Sequence, residues 1–279
     1  MKIGLIVNFE KNNAVSAAKR IVEIASECEA SVLSVQSDCF DADVFYATAE
    51  EVIKNCDVAV TVGGDGTIIH NAKFAALYRK PLLGVNLGRV GFVANIEPEE
   101  LDELYKLFTG EYDLQSRMLL DISMERDGER YAYTAVNEAV SHRDSLSSMV
   151  DISVSLDGER IITYRADGML FSTATGSTAY SFSAGGPVLQ PDLRCILLTP
   201  VCPHALSSRQ VVFGEDAVLS ANVLKTSDAK CYMTVDGQNY ISLSSEDTVT
   251  IKKSPLELQL IILKEKNFYT LLNEKLKEN

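Results

Sequence analysis

The chain has no apolar run approaching the ~20 residues that a membrane-spanning helix needs. Its opening, Met1-Lys2-Ile3-Gly4-Leu5-Ile6-Val7, is too short for the apolar core of a secretion signal and lacks a cleavage-like flank. Paired cysteines are also missing. Cys28, Cys39, Cys56, Cys195, Cys202 and Cys231 form no CxxC, and Cys202 and His204, separated by Pro203 alone, make a poor chelating pair. This argues against a disulfide framework or a zinc site and for reduced thiols. Basic residues are scarce: 26 Lys and Arg face 39 Asp and Glu, a formal net charge of −13. That field opposes non-specific binding to nucleic acid or to an anionic membrane. It also repels phosphate esters, so a phosphate ligand must be held locally, by backbone amides, a few arginines and a divalent metal. These absences predict a soluble, cytoplasmic protein with no nucleic-acid or membrane partner.

What is present centres on Val60-Thr61-Val62-Gly63-Gly64-Asp65-Gly66-Thr67. The apolar run Val58 to Val62 reads as a buried strand and stops at two glycines. Gly66-Thr67 leads into Ile68, Ile69, Ala72, Phe74, Ala75, Ala76 and Leu77, which read as a helix. A glycine turn between a strand and a helix N-terminus lets backbone N–H groups approach an anion, and the helix dipole adds partial positive charge. Asp65 places one acid beside that anion site.

The 279 residues, 46% of them hydrophobic, suffice for one large domain or two ordinary ones. The first third alternates strand and helix. Strands are expected at Lys2–Phe9, Ser31–Val35, Asp57–Val62 and Leu82–Asn86, and helices at Ala14–Cys28, Ala47–Asn55 and from the glycine turn to about Arg79. This rhythm implies a parallel sheet covered on both faces, with ligands beyond the carboxyl ends of its strands. Glu97-Pro98-Glu99-Glu100 opens an acidic helix running to about Phe108, and Gly110 ends it. From about Tyr112 the pattern is β. Met118–Arg126 with Glu129–Val140, and Val150–Leu156 with Glu159–Tyr164, read as hairpins turning at Asp127-Gly128 and Asp157-Gly158; the echo of Asp127-Gly128-Glu129-Arg130 in Asp157-Gly158-Glu159-Arg160 is either a repeated unit or, the favoured reading, two independent type I′ turns. Further strands are expected at Cys195–Thr199, Ala217–Val223, Lys230–Val235 and Val249–Lys253, a density that suggests a sandwich-like β domain. Leu256–Leu263 and a helix Phe268–Lys277 close the chain. The expected division is residues 1–110 as an α/β domain, 111–255 as a β-rich domain, and a tail, 256–279.

Three other segments carry chemistry. Asn137-Glu138 is a polar pair in an apolar stretch, expensive to bury without partners. It is either a strand edge with one residue facing water or an amide and a carboxylate gripping a ligand. Arg165 to Pro187 mixes small hydroxyl residues, glycines and Tyr180, suited to close ligand approach and to donating hydrogen bonds. His204, in Leu198 to Arg209, gains interest only if the fold brings it near the Gly63 turn.

Together these segments closely resemble the NAD kinase family. The resemblance covers nearly the whole chain: Gly63-Gly64-Asp65-Gly66-Thr67, Asn86-Leu87-Gly88-Arg89-Val90-Gly91-Phe92, Asn137-Glu138, Asp167-Gly168 to Pro187, Thr199 to Arg209, and Asp236-Gly237-Gln238. The glycine–aspartate turn alone is also shared with phosphofructokinases and with diacylglycerol and sphingosine-type lipid kinases. The run Thr175-Gly176-Ser177-Thr178-Ala179-Tyr180-Ser181 followed by Ala184-Gly185-Gly186-Pro187 is more specific. The resemblance implies an N-terminal α/β domain with a parallel sheet, an all-β sandwich-like C-terminal domain, and a tail that returns to the first domain. It implies transfer of a phosphoryl group from ATP or polyphosphate to NAD, giving NADP with Mg²⁺ or another divalent metal, in a homodimer or homotetramer. It assigns Asp65 as acceptor of the 2′-hydroxyl proton and Gly63, Gly64, Gly66 and Thr67 as the phosphate turn. It assigns Asn137, Glu138, Asp167, Thr175, Thr178, Ala179, Tyr180, Ser181 and Ser183 as NAD contacts, and Arg165 and Gln238 as residues lining the nucleotide site. His70 stands where many relatives have arginine, which weakens a cationic contact there near pH 7. Gln210 stands where proline is common, and Asp144–Met149 matches nothing firmly.

Overall fold

The computed structural model describes residues 1–88, 91–144, 149–205, 208–224 and 231–277. Arg89 and Val90 of the 86–92 segment, residues 145–148 of the unmatched region, Leu206 and Ser207, and Lys230 of the expected strand lie outside the described residues. The chain divides into two compact units, Met1–Arg117 with Glu257–Asn279, and Met118–Leu256.

The first unit carries a parallel sheet. Its strands run in the order Val249–Ile262 (through its last residues), Leu82–Asn86, Val58–Gly63, Lys2–Val7, Ser31–Val35 and Val44–Tyr46. The two central strands, Val58–Gly63 and Leu82–Asn86, are buried at every position, so they read as continuous apolar runs rather than alternating ones. The helix Ala14–Glu27 turns Ala17, Ala18, Ile21, Ile24 and Ala25 into the core at helical spacing. The helix Ala49–Asn55 begins on a capping box: Thr48 Oγ1 accepts from Glu51 N, and Glu51 Oε2 accepts from Thr48 N. The edge strand Val44–Tyr46 was not expected; it is short and largely exposed, with little apolar signal.

The acidic stretch departs from the expected single α-helix. It is a 3₁₀ helix over Pro98–Leu104 that passes into an α-helix, Tyr105–Thr109, ended by Gly110 at φ 78°. Leu101, Leu104 and Leu107 are all buried at steps of three, the period at which 3₁₀ side chains align.

Within this unit the tail is tied down. Leu260 pairs with Leu82 in parallel register, and Ser116 Oγ donates to Glu257 at 2.7 Å. The buried Asn95 side chain accepts from Leu263 N at 2.8 Å and Lys264 N at 3.1 Å and donates to Lys264 O at 3.0 Å.

The second unit is built of two antiparallel sheets around one core containing Leu120, Ile122, Val154, Tyr164, Phe171, Ile196, Leu219, Met233 and Ile251. One sheet holds Glu159–Ala166, Val150–Leu156, Leu219–Val223 and the start of Val249–Ile262, with the hairpin Asp113–Arg126/Glu129–Ala135. The other runs Val211–Gly214, Cys195–Val201, Gly168–Ser172, Glu138–Arg143, Cys231–Val235, Gln238–Leu243. The architecture is therefore the expected α/β unit with a parallel sheet followed by a sandwich-like β unit. Asp127/Gly128 (φ 53° and 80°), Asp157/Gly158 (51° and 87°) and Asp236/Gly237 (47° and 71°) all turn with positive φ, the requirement of type I′ turns.

Three strand expectations need correction. Glu129–Val140 is two strands, Glu129–Ala135 and Glu138–Arg143, one in each sheet, because Val136 and Asn137 direct their N–H groups to a side chain and not to a ladder. Val249–Lys253 and Leu256–Leu263 are one strand, Val249–Ile262, running through Pro255. Gly168–Ser172, inside the Arg165 to Pro187 segment where no strand was expected, is a fully buried strand between two neighbours.

Candidate active site

In the first unit the strand Val58–Gly63 ends and the helix Asp65–Leu77 begins with Gly64 alone between them. The helix thus starts at Asp65, earlier than expected, and Gly66 and Thr67 sit in its first turn. Gly64 is extended (φ −87°, ψ 175°), and its carbonyl accepts from Thr67 N at 2.9 Å and Ile68 N at 3.1 Å. Gly63 has no room for a side chain, since a Cβ there would lie 2.8 Å from Thr67 Cβ and Oγ1. Gly66 is exposed, with open space where its Cβ would be, so nothing obstructs an approaching anion.

Asp65 is half-buried, and its carboxylate is oriented by backbone. Oδ2 accepts from Phe92 N at 3.0 Å and Oδ1 from Val93 N at 3.4 Å. The segment that supplies these amides is fixed in turn. Buried Asn86 accepts from Gly88 N at 2.9 Å and donates to Glu97 Oε1 at 3.2 Å, and a Cβ at Gly91 would lie 3.0 Å from the Asn86 amide. Thr67 Oγ1 accepts from Asn8 Nδ2 at 3.1 Å. His70 is exposed, edge-on to Phe74 at 6.0 Å.

The second unit gathers a polar cluster around Asn137-Glu138. Glu138 is 7% exposed, and its Oε2 has no hydrogen-bond partner. Burial pushes its carboxyl up to about 8, and the charge of Asp236 adds to the rise. Ser172 stands directly opposite Glu138 in the antiparallel ladder, which puts both side chains on one face. Ser172 Oγ and Thr175 Oγ1 are likewise buried without partners. Orphaned buried polar atoms cost roughly 1–3 kcal/mol each, so a ligand that partners them is favoured.

The backbone around this cluster is fully engaged. Thr173 N donates to Asn137 O at 2.8 Å, Thr173 Oγ1 to Val136 O at 2.7 Å, and Gly176 N to Thr173 Oγ1 at 3.0 Å. A Cβ at Gly176 would collide with the Asn137 carbonyl, so the specific Thr-Gly-Ser-Thr run is partly a packing requirement. The 3₁₀ turn Thr175–Thr178 and the short helix Tyr180–Ser183 follow. Tyr180 is 44% exposed and Ser183 is exposed. Thr178 Oγ1 donates to Thr175 O, and the fully buried Ser181 hydroxyl is engaged with Thr199 Oγ1 at 2.8 Å. Ala179 joins the two turns (φ −95°, ψ −130°).

Other candidates fall elsewhere within this unit. Gly168 pairs with His142 while Ser172 pairs with Glu138, so Asp167 lies beyond the far end of a ladder spanning about 13 Å. There Asp167 forms an ion pair with Arg143 at 2.9 Å. Arg165 is exposed, and its carbonyl accepts from His204 N; His204 is exposed as well. Gln238 is exposed at the start of its strand, beside the Asp236 turn. Asp236 and Thr173, the residues that fix the Asn137-Glu138 turn, were given no role from sequence. From sequence, Asp236 is marked only as part of the Asp236-Gly237-Gln238 match, without a role of its own.

Among the described residues no group of three or more His, Cys, Asp or Glu side chains is placed to hold a metal ion. No described helix is long and apolar enough to cross a membrane.

An acid-bearing glycine turn at a helix N-terminus, and a β unit with a half-buried amide next to a buried carboxyl, point to a nucleotide-dependent phosphotransferase. The comparisons with known proteins narrow the class. Residues 3–112 match the model of the ATP-NAD kinase N-terminal domain and residues 136–263 that of the ATP-NAD kinase C-terminal domain. The chain is similar to the NAD kinase of Natranaerobius thermophilus, 36% identical over 98% of this chain and 97% of the relative. It is also similar to that of Ruminiclostridium cellulolyticum, 34% identical over 99% and 98%. Among solved structures, an NAD kinase from Archaeoglobus fulgidus in complex with ATP superposes with a TM-score of 0.77 at 26% identity, covering 100% of both chains. The fold is shared with yeast NADH kinase complexed with NADH (TM-score 0.83, 24% identity, 100% of this chain and 88% of that one). The chain belongs to the NAD kinase family.

Proposed function

We propose that this protein transfers the terminal phosphoryl group of ATP to the 2′-hydroxyl of the adenosine ribose of NAD, producing NADP. The observation that carries the reading is Asp65, an acid held in fixed orientation by two backbone amides inside a turn otherwise made of glycine and threonine. A ribose hydroxyl is a poor nucleophile at neutral pH, so a positioned acceptor for its proton is worth roughly 10²–10⁴-fold in rate. Asp65 is the acid that the turn orients for that proton. Phosphoryl transfer otherwise depends on alignment and on electrostatic support. The N–H groups of the first helical turn and the unobstructed surface at Gly66 favour an anion there. Mg²⁺ bound with ATP would supply charge neutralisation on the donor phosphates.

Asn137 and Glu138, with Thr175, Thr178, Ala179, Tyr180 and Ser183, are the proposed NAD contacts. The unpartnered Glu138 and Thr175 oxygens support this assignment. Arg165 and Asp167 stand at the other end of the ladder and join no such set within one chain. We further propose a cytoplasmic homodimer or homotetramer, a reading supported by the chain's composition and by its family.

The test is direct. Purified protein is incubated with ATP, Mg²⁺ and NAD, and NADP is detected with an NADP-specific dehydrogenase. NADP formation is expected, with polyphosphate tested as an alternative donor. No NADP, but phosphorylation of diacylglycerol in the same conditions, would replace the reading with lipid kinase activity.

A further inference from the structure

Asp236 occupies the turn between Cys231–Val235 and Gln238–Leu243. Its carboxylate accepts hydrogen bonds from three successive backbone N–H groups: Val136 at 2.8 Å, Asn137 at 2.8 Å and Glu138 at 3.0 Å. Its own N–H donates to the Glu138 carbonyl at 2.9 Å. Val136 and Asn137 lie where the chain leaves one sheet for the other, so their amides join no ladder; Val136 is buried and Asn137 half-buried. Thr173 satisfies the carbonyls of the same two residues. The backbone of the turn is thereby clamped from both sides, donors by Asp236 and acceptors by Thr173, while the Glu138 Oε2 atom is left over.

Resting on the reading of Asn137 and Glu138 as NAD contacts, we propose that Asp236 is a positioning residue for NAD, fixing the backbone of 136–138 so that both side chains face the nucleotide. It does not touch the reacting atoms; it acts through the turn. A carboxylate that accepts three N–H bonds is favoured in its ionised form. Its charge also bears on Glu138. The facing strand contributes the neutral Ser172, and Arg143, further along the Glu138 strand, is paired with Asp167.

The experiment compares Asp236→Asn and Asp236→Glu with the unmodified protein in steady-state kinetics and in the pH dependence of the NAD KM. Asparagine keeps the size but offers one oxygen to three donors and turns an NH₂ group toward them. The expected result is a rise in NAD KM of about tenfold or more, with kcat changed far less and ATP KM unchanged. In Asp236→Asn the pH dependence also moves to lower pH, because a like charge is removed from beside Glu138. Asp236→Glu keeps the charge but misplaces it, so it raises KM and moves the pH profile less. A purely structural role would lower the active fraction and leave both KM and the pH profile in place; that result, or an unchanged NAD KM, overturns the proposal. Asn137→Ala separates the two ideas. If it leaves NAD KM unchanged, the NAD-contact reading fails. If it raises KM and Asp236→Asn does not, the positioning role fails alone. Hydrogen exchange of the unmodified protein needs no variant to fold: slow exchange at the amides of Val136, Asn137 and Glu138 is expected, and rapid exchange there overturns the clamp.

Discussion

Glu138→Gln is predicted to make the protein more stable at alkaline pH and no more stable at acid pH. Glu138 is 7% exposed, has one oxygen without a partner, and titrates at about 8 instead of 4.5. The folded pKa is raised, so the favourable contribution of the protonated group is fully present below the unfolded value and is lost as pH rises toward the folded one. The difference of about 3.5 pKa units corresponds to about 5 kcal/mol at most. Glutamine has the same shape and cannot ionise, so it escapes this loss. Thermal unfolding of both proteins across pH 4.5 to 9 is the assay. At about 2–4 °C per kcal/mol for a unit of this size, the melting curves should coincide near pH 4.5 and separate at pH 9 by up to about 10–20 °C, the variant higher. Parallel pH dependences would refute the reasoning, since they would mean that Glu138 ionises in the fold as readily as in the unfolded chain. NAD binding supplies a second reading. If Glu138 meets the nucleotide as a neutral hydrogen-bond donor, the variant's NH₂ group preserves NAD affinity at pH 7 and abolishes its decline above pH 8.

Asp65→Asn should lower turnover by roughly 10²–10⁴-fold while calorimetric NAD binding changes far less; near-normal turnover would remove Asp65 as proton acceptor, and a large shift in Mg²⁺ dependence would make it a metal ligand instead. Gly176→Ala should drive a methyl group into the Asn137 carbonyl, costing roughly 1–3 kcal/mol and raising NAD KM, read by urea unfolding and steady-state kinetics. Asn95→Ala deletes the hydrogen bonds to Leu263 and Lys264; a loss of about 3 kcal/mol and faster proteolysis of the chain's last residues are expected, and an unchanged cleavage rate would show that the tail is held by other contacts.

The first unit was legible because its signals are local. Val58–Val62 is apolar at every position but Thr61; Gly63 and Gly64 follow it, and the next helix has a buried stripe, so strand, turn and helix could be placed to within two residues. The acidic 3₁₀ helix was misread because Leu101, Leu104 and Leu107 fit a three-residue period about as well as an α-helical one over so short a span. The second unit was less legible because its decisive contacts are remote in sequence. Nothing near Asn137 shows that Glu129–Val140 must break there, since the partner of those amides lies about a hundred positions later, at Asp236. The same distance left open whether Asn137-Glu138 was a solvent-facing edge or a ligand grip; burial and the orphan oxygen favour the grip.

The two carboxyl groups at the centre of the proposal differ in what surrounds them, and that difference assigns their work. Asp65 is supplied with N–H donors from Phe92 and Val93, at a helix N-terminus where negative charge is favoured. It is held as an acceptor. Glu138 spends none of its side-chain capacity on the turn: Asp236 takes the amides that might have stabilised a negative charge at Glu138, and adds a like charge nearby. The chain therefore places its N–H donors so that one acid can take a proton and the other keeps its own. Moving either set of donors should exchange stability for binding in a way that size-conserving substitutions at the carboxyls alone would not reproduce. The Asp236 variants test this: if the amides of 136–138 lose their clamp, they become available to Glu138, whose titration should then fall toward the ordinary carboxylate range while NAD affinity falls with it.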